Sequence, residues 1–144
     1  MQLVGNPTCI PLVTTNASLD DGCYIDFVEA VETHLDWRGK LITYISSKEI
    51  DASIFRAISH DDSCSLGHWL QGIGLVKFGH LPSFRRLALE HAQFHSVAGM
   101  IISRVQDDDL QDAELLLKNE FSQATRRVLV AISELNSLVK QKIE

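Results

Sequence analysis

Apolar side chains in this chain recur every three or four positions over long stretches and nowhere alternate, a period that admits helices and little else. From Tyr24 onward Phe27, Val31, His34, Leu41 and Ile45 share a stripe while Glu29, Glu32, Asp36 and Lys40 point elsewhere, which predicts a helix of about 24 to 46. Pro82 suits a first helical turn, and after it Phe84, Leu87, Ala88, His91, His95, Ala98, Ile102 and Val105 hold one face for about 24 residues. Asp107, Asp108 and Asp109 then form a turn. Beyond them Leu110, Leu117, Phe121, Ala124, Val128, Ala131, Leu135 and Leu138 trace the longest predicted helix, about 34 residues, to the end of the chain.

Two shorter segments lie between. Ile50, Ile54, Phe55 and Ile58 follow a capping Asp51 and support a helical turn or two. Asp61, Asp62 and Ser63 offer capping oxygens to a helix of about ten residues that carries Cys64, Leu66, Trp69 and Leu70 at its start and middle and should stop at Gly72 and Gly74. The predicted fold is all-α: a four-helix bundle with one short helix bearing the cysteine. Residues 1–22, with Pro7, Pro11 and Asp20-Asp21-Gly22, show no period and are predicted to be an irregular leader to a single domain over 23–144.

Composition narrows the functional classes. With 45% hydrophobic and 22% charged residues the 144-residue chain has material for one core. Thirteen basic against nineteen acidic residues leave a net charge of −6, which argues against nucleic acid and anionic lipid surfaces as partners. No stretch approaches the roughly 18 apolar residues of a membrane span, and the start lacks the basic residues of a secretory signal, so the expected location is the cytoplasm. Cys9, Cys23 and Cys64 are odd in number and far apart, unlike a disulfide framework.

The candidate chemistry is metal binding. His91 and His95, four apart on an apolar helix face, can both reach one ion, although such a pair also arises by chance. His34 sits on a stripe that must be buried, where an imidazole needs a partner: a core carbonyl or carboxylate, or a metal. Cys64 falls at the start of a helix, where amide groups and the dipole favour a thiolate; the alternative is a small buried residue. Together His34, Cys64, His91 and His95 make the tetrahedral Cys and His set that zinc takes in closed sites. His60 and His68 flank Cys64 at four-residue steps and are read as solvated or supporting, and His80 as a loop residue.

His34-Leu-Asp-Trp37, Cys64-Ser-Leu-Gly-His-Trp-Leu70 and His91-Ala-Gln-Phe-His95, in that order, resemble the chemoreceptor zinc-binding domain family, as do Asp61-Asp62 and Leu81-Pro-Ser-Phe84. The resemblance covers about residues 24 to 139. It implies a four-helix bundle, usually a homodimer, with one zinc per chain on His34, Cys64, His91 and His95. Leu66, Gly67 and Trp69 accompany the cysteine, Leu66 and Trp69 locking its helix to the bundle and Gly67 admitting a close neighbour, and Trp37 packs one turn from His34.

Members of the family mostly accompany bacterial chemoreceptor signalling helices or diguanylate cyclases. They tune those outputs to zinc or to oxidants that attack the zinc-bound cysteine. This chain holds neither output domain, so the expectation is a stand-alone, non-enzymatic regulatory or sensor module for chemotaxis or cyclase signalling. The alternatives are a structural zinc-stabilised helical dimer, a zinc enzyme, which would need an open coordination position, and a di-iron bundle, which would need Glu-x-x-His motifs that the sequence lacks. Leu115, Val130 and Val139 fall off the long helix's core stripe and add to the expectation of a homodimer.

Overall fold

The computed structural model describes residues 25–143, and among them every regular element is helical. The expected leader 1–22, with Cys9, and also Cys23 lie outside the described residues. Helix α1 spans Phe27–Ser47, α2 Ala52–Ser59, α3 Ser65–Gln71, α4 Ile73–Phe78, α5 Pro82–Gln106, α6 Leu110–Leu116 and α7 Ser122–Ile143. A π-helical turn, Leu117–Phe121, joins α6 to α7.

Local chemistry sets the boundaries. Asp26 caps α1 by accepting from the Glu29 N–H at 3.0 Å, and Asp51 caps α2 by accepting from the Ser53 N–H at 2.8 Å. Pro82 opens α5, where its missing N–H costs nothing, and Asp109 caps α6 through the Asp112 N–H at 3.2 Å. Lys48 ends α1 and Asp108 follows α5, both in the left-handed conformation, and their side chains form an ion pair across that end of the molecule.

The core lies among α1, α5 and α7. Leu41, Leu87, Phe94, Ala98, Ile101, Phe121, Val128, Ala131 and Leu135 have no or almost no exposed surface. Each large side chain so buried contributes about 1.5–3 kcal/mol. α5 packs most extensively on α7, and α1 lies against both. Trp69 fastens α3 to this frame, its ring edge-on to Phe27 of α1 at 5.7 Å and close to Phe84 of α5 at 5.6 Å and Phe78 of α4 at 5.8 Å.

Three expectations change. The short helix does end at Gln71, with Gly72 as its C-cap as expected, but the chain resumes at once as α4, with Gly74 under Trp69, where a Cβ would come within 2.6 Å of the indole. The long C-terminal helix is interrupted by the π turn, whose Leu117 carbonyl accepts from Arg38 Nη1 at 3.3 Å and from the Ser122 hydroxyl at 3.2 Å. Val139 is buried at 2% exposure, so of the three residues expected to be uncovered only Leu115, at 49%, and Val130, at 44%, are.

Candidate metal centre

His34, Cys64, His91 and His95 come together in the core, each offering one donor atom, with all four atoms within 4.8 Å of one another. The three imidazoles are 1% exposed. α1 supplies His34 and α5 supplies both His91 and His95, one turn apart on its inner face. The rings of His91 and His95 are 4.5 Å apart, and His34 approaches them at 5.2 and 5.7 Å.

Cys64 is the N-cap of α3 rather than a residue of its first turn, and its sulfur takes the place expected for the oxygens of Asp61, Asp62 and Ser63 by accepting from the Gly67 N–H at 3.3 Å. Gly67 allows this. Its α-carbon presses on the Asp61 carbonyl, and any Cβ there would collide with that oxygen. The loop from Asp61 therefore folds tightly over α3 and holds Sγ at 3.2 Å from His91 Nε2 and 3.6 Å from His95 Nε2.

Backbone carbonyls set the ring orientations. His34 Nδ1 lies 2.6 Å from the Ala30 carbonyl and His95 Nδ1 lies 2.6 Å from the Ile58 carbonyl. A carbonyl can only accept, so both Nδ1 atoms carry the proton and both Nε2 atoms present lone pairs. His34 Nε2 is buried and has no hydrogen-bond partner. A lone pair left unpaired in a core is costly unless something binds it.

Burial decides the charge states. Desolvation lowers His34 to about 4, despite its bond to Ala30, and lowers His95 to about 4, despite its bond to Ile58. His91 falls to about 2, first by desolvation and then by the neighbouring His95 and His34. Burial also pushes the Cys64 thiol up, against the opposing Gly67 and Leu66 amides. The expectation that the helix start alone would favour a thiolate is thus overturned, because loss of water outweighs the amides. At neutral pH the cluster is three neutral imidazoles and a thiol.

This donor set fits zinc. Usual zinc–nitrogen distances of about 2.0–2.1 Å and zinc–sulfur distances of about 2.3 Å put the donors of a tetrahedron about 3.3–3.6 Å apart. Among Cys64, His91 and His95 the separations of 3.0 Å between the two Nε2 atoms, and of 3.2 and 3.6 Å from the sulfur, bracket that range, and with His34 all four donors lie within 4.8 Å of one another. Two nitrogens with fixed lone pairs, and one of them otherwise unpaired, have the character of ligands held ready for a cation.

His60, His68 and His80 are exposed, and none belongs to the cluster. The core carbonyl that the sequence allows as a partner of His34 is that of Ala30, whereas the Ile58 carbonyl that holds His95 leaves no mark in a pattern of side chains. The Ala30 contact is the one a pattern could find, because the carbonyl four residues back is always within reach of a helical side chain. Phe94 is also missed. It is buried between the site and the π turn, 5.1 Å from the His34 ring and 5.0 Å from Phe121. Trp37 packs on His34 at 4.6 Å and on His95 at 5.2 Å, closing the inner side of the cluster.

Residues 34–102 match the family model of the chemoreceptor zinc-binding domain, a span that contains all four donors. No curated protein and no solved structure matches the chain.

Proposed function

We propose, from the match of residues 34–102 to the chemoreceptor zinc-binding domain family, that the chain is a member of that family and a zinc-binding regulatory module holding one ion on His34, Cys64, His91 and His95. The observation that carries the proposal is the convergence of four buried donors around a His34 nitrogen with no other partner. Bound zinc would supply the positive charge that keeps a desolvated sulfur as thiolate. Four protein donors would leave the ion no position for a reactive water, which favours regulation over catalysis. In this reading α1, α3 and α5 are three members of a four-helix bundle, the π-interrupted helix is the fourth, and residues 23–144 act as one domain.

The donors come from α1, the α2–α3 connection and α5, so binding would tie together three segments that are remote in sequence. A ligand that prefers one arrangement of these helices shifts the population toward it, and a partner protein reads the shift. We place that partner in a bacterial chemotaxis or diguanylate cyclase pathway in the cytoplasm, with zinc level or oxidation of Cys64 as the signal and a homodimer as the working unit. Among the described residues no helix is long and apolar enough to cross a membrane.

Metal analysis of protein purified without a histidine tag tests the assignment. About one zinc per chain is the expected result. Protein that holds no stoichiometric zinc after dialysis against micromolar zinc would leave a plain helical bundle with clustered histidines.

A further inference from the structure

The donors are buried, so an ion must pass between side chains to reach them. A cavity of about 20 Å³ lies between the start of α1 and the start of α3, and His34 and Cys64 are part of its lining. His34, one of its lining residues, carries the buried Nε2 that has no hydrogen-bond partner. The same lining includes the exposed Glu29 and Ser65 and the half-buried Asp26 and Thr33, so the cavity joins the buried donors to residues that reach solvent. On other flanks the cluster faces the Trp37 and Phe94 rings and the Ile58 carbonyl.

The volume is about what a single water occupies, so a bare ion fits and a hydrated one does not. An ion entering here must exchange water for protein oxygens before it meets the first imidazole. It would also approach the N-terminus of α1, whose dipole repels cations. Both obstacles are met by carboxylates: Asp26, one oxygen of which is engaged by the Glu29 N–H, and Glu29, at the outer rim.

Resting on the reading of the four donors as a zinc site, we propose that this opening is the passage by which zinc reaches and leaves them, with the Glu29 carboxylate as a transient oxygen ligand at its mouth. Glu29 is absent from the group that converges on the final site, so its influence falls on the path and not on the bound state.

The test is stopped-flow mixing of the full-length metal-free protein with zinc, followed by tryptophan fluorescence, and equilibrium competition against a chromophoric chelator. Glu29→Gln should slow association and dissociation together, by about three- to tenfold, with affinity changed less than about twofold. Glu32→Gln removes the same charge from an exposed position of α1 outside the cavity lining and should leave both rates unchanged. Equal slowing in the two variants would reduce the effect to bulk charge and overturn the passage. Weakened affinity with normal association would make Glu29 part of the bound site and overturn it as well. Failure of the unmodified protein to take up zinc would instead remove the zinc assignment, and the passage with it.

Discussion

The Nδ1–H of His95 donates to the main-chain carbonyl of Ile58 at 2.6 Å, so a helix that contributes no side chain to the metal cluster still holds one of its rings in place. Ile58 is itself completely buried, and its side chain anchors α2 to the core. Ile58→Ala should cost about 2–5 kcal/mol of stability. By loosening the carbonyl it should also weaken zinc binding about tenfold or more. A chelator competition titration measures this, and unaltered affinity in a folded variant would show that the His95 orientation does not depend on α2.

Removal of a donor should act on metal and fold together. His91→Ala and His95→Ala are expected to abolish stoichiometric zinc and lower the melting temperature of the zinc-loaded protein, because binding energy is folding energy when the site spans several segments. His60→Ala and His80→Ala, at exposed positions, should do neither. X-ray absorption of the zinc protein should fit one sulfur and three nitrogens. A fit without sulfur would strike Cys64 from the set.

Proton bookkeeping gives an independent check. At pH 7 the lowered imidazoles are already neutral and the raised thiol is protonated, so zinc binding should release about one proton, from Cys64. An indicator-dye titration in weak buffer reads this directly. Release of two or more protons would mean that the histidines are charged in the metal-free protein.

The same groups set an acid limit. Imidazoles lowered from 6.5 to about 4, 2 and 4 bind fewer protons in the folded than in the unfolded chain. Stability of the metal-free protein should therefore fall as pH drops below 6.5 and continue to fall toward pH 4, with a shallow dependence above 7. Urea melts at a series of pH values test this, and a flat profile between 6.5 and 4.5 would contradict it.

Gly67→Ala places a methyl group against the Asp61 carbonyl, which belongs to main chain and cannot swing aside. The expected cost is about 1–3 kcal/mol or more. Zinc affinity should fall too, since the loop that collides also carries Cys64. Gly39→Ala is the matching control, because nothing lies within 4 Å of a Cβ there. Equal melting temperatures for the two variants would show that the loop can move away.

The faces of α1, α5 and α7 are legible in the sequence because burial is what spaces apolar residues at three and four, and the same spacing carries His34, His91 and His95 inward. The return to helix straight after Gly72 is not. Glycine near the end of a short apolar run reads as a stop, and only the indole of Trp69 over Gly74 shows that the chain continues as helix. Nor is the state of Cys64 legible, since its place at a helix start is local and its depth is set by segments remote in sequence. Val139 is misplaced because a helical stripe can step from Leu135 to either the third or the fourth residue: Leu138 is only half-buried, and Val139 takes the core position.

That turn also determines how the C-terminal helix can tolerate change. Leu117–Phe121 winds one residue wider than an ordinary α turn, so everything after it is offset in phase by about 100° from an uninterrupted continuation of α6. Straightening the turn into ordinary α-helix with all its residues kept would carry Ala124, Val128, Ala131 and Leu135 round toward solvent together, although none of them had been altered. Deleting one residue from the turn would instead let it close as an α turn with those four still facing the core. Arg38 and Ser122, both bonded to the Leu117 carbonyl, work as a latch on that angle. Arg38 lies on α1 one turn beyond His34, so the helix that carries one of the four clustered donors also keeps the timing of the helix that carries none.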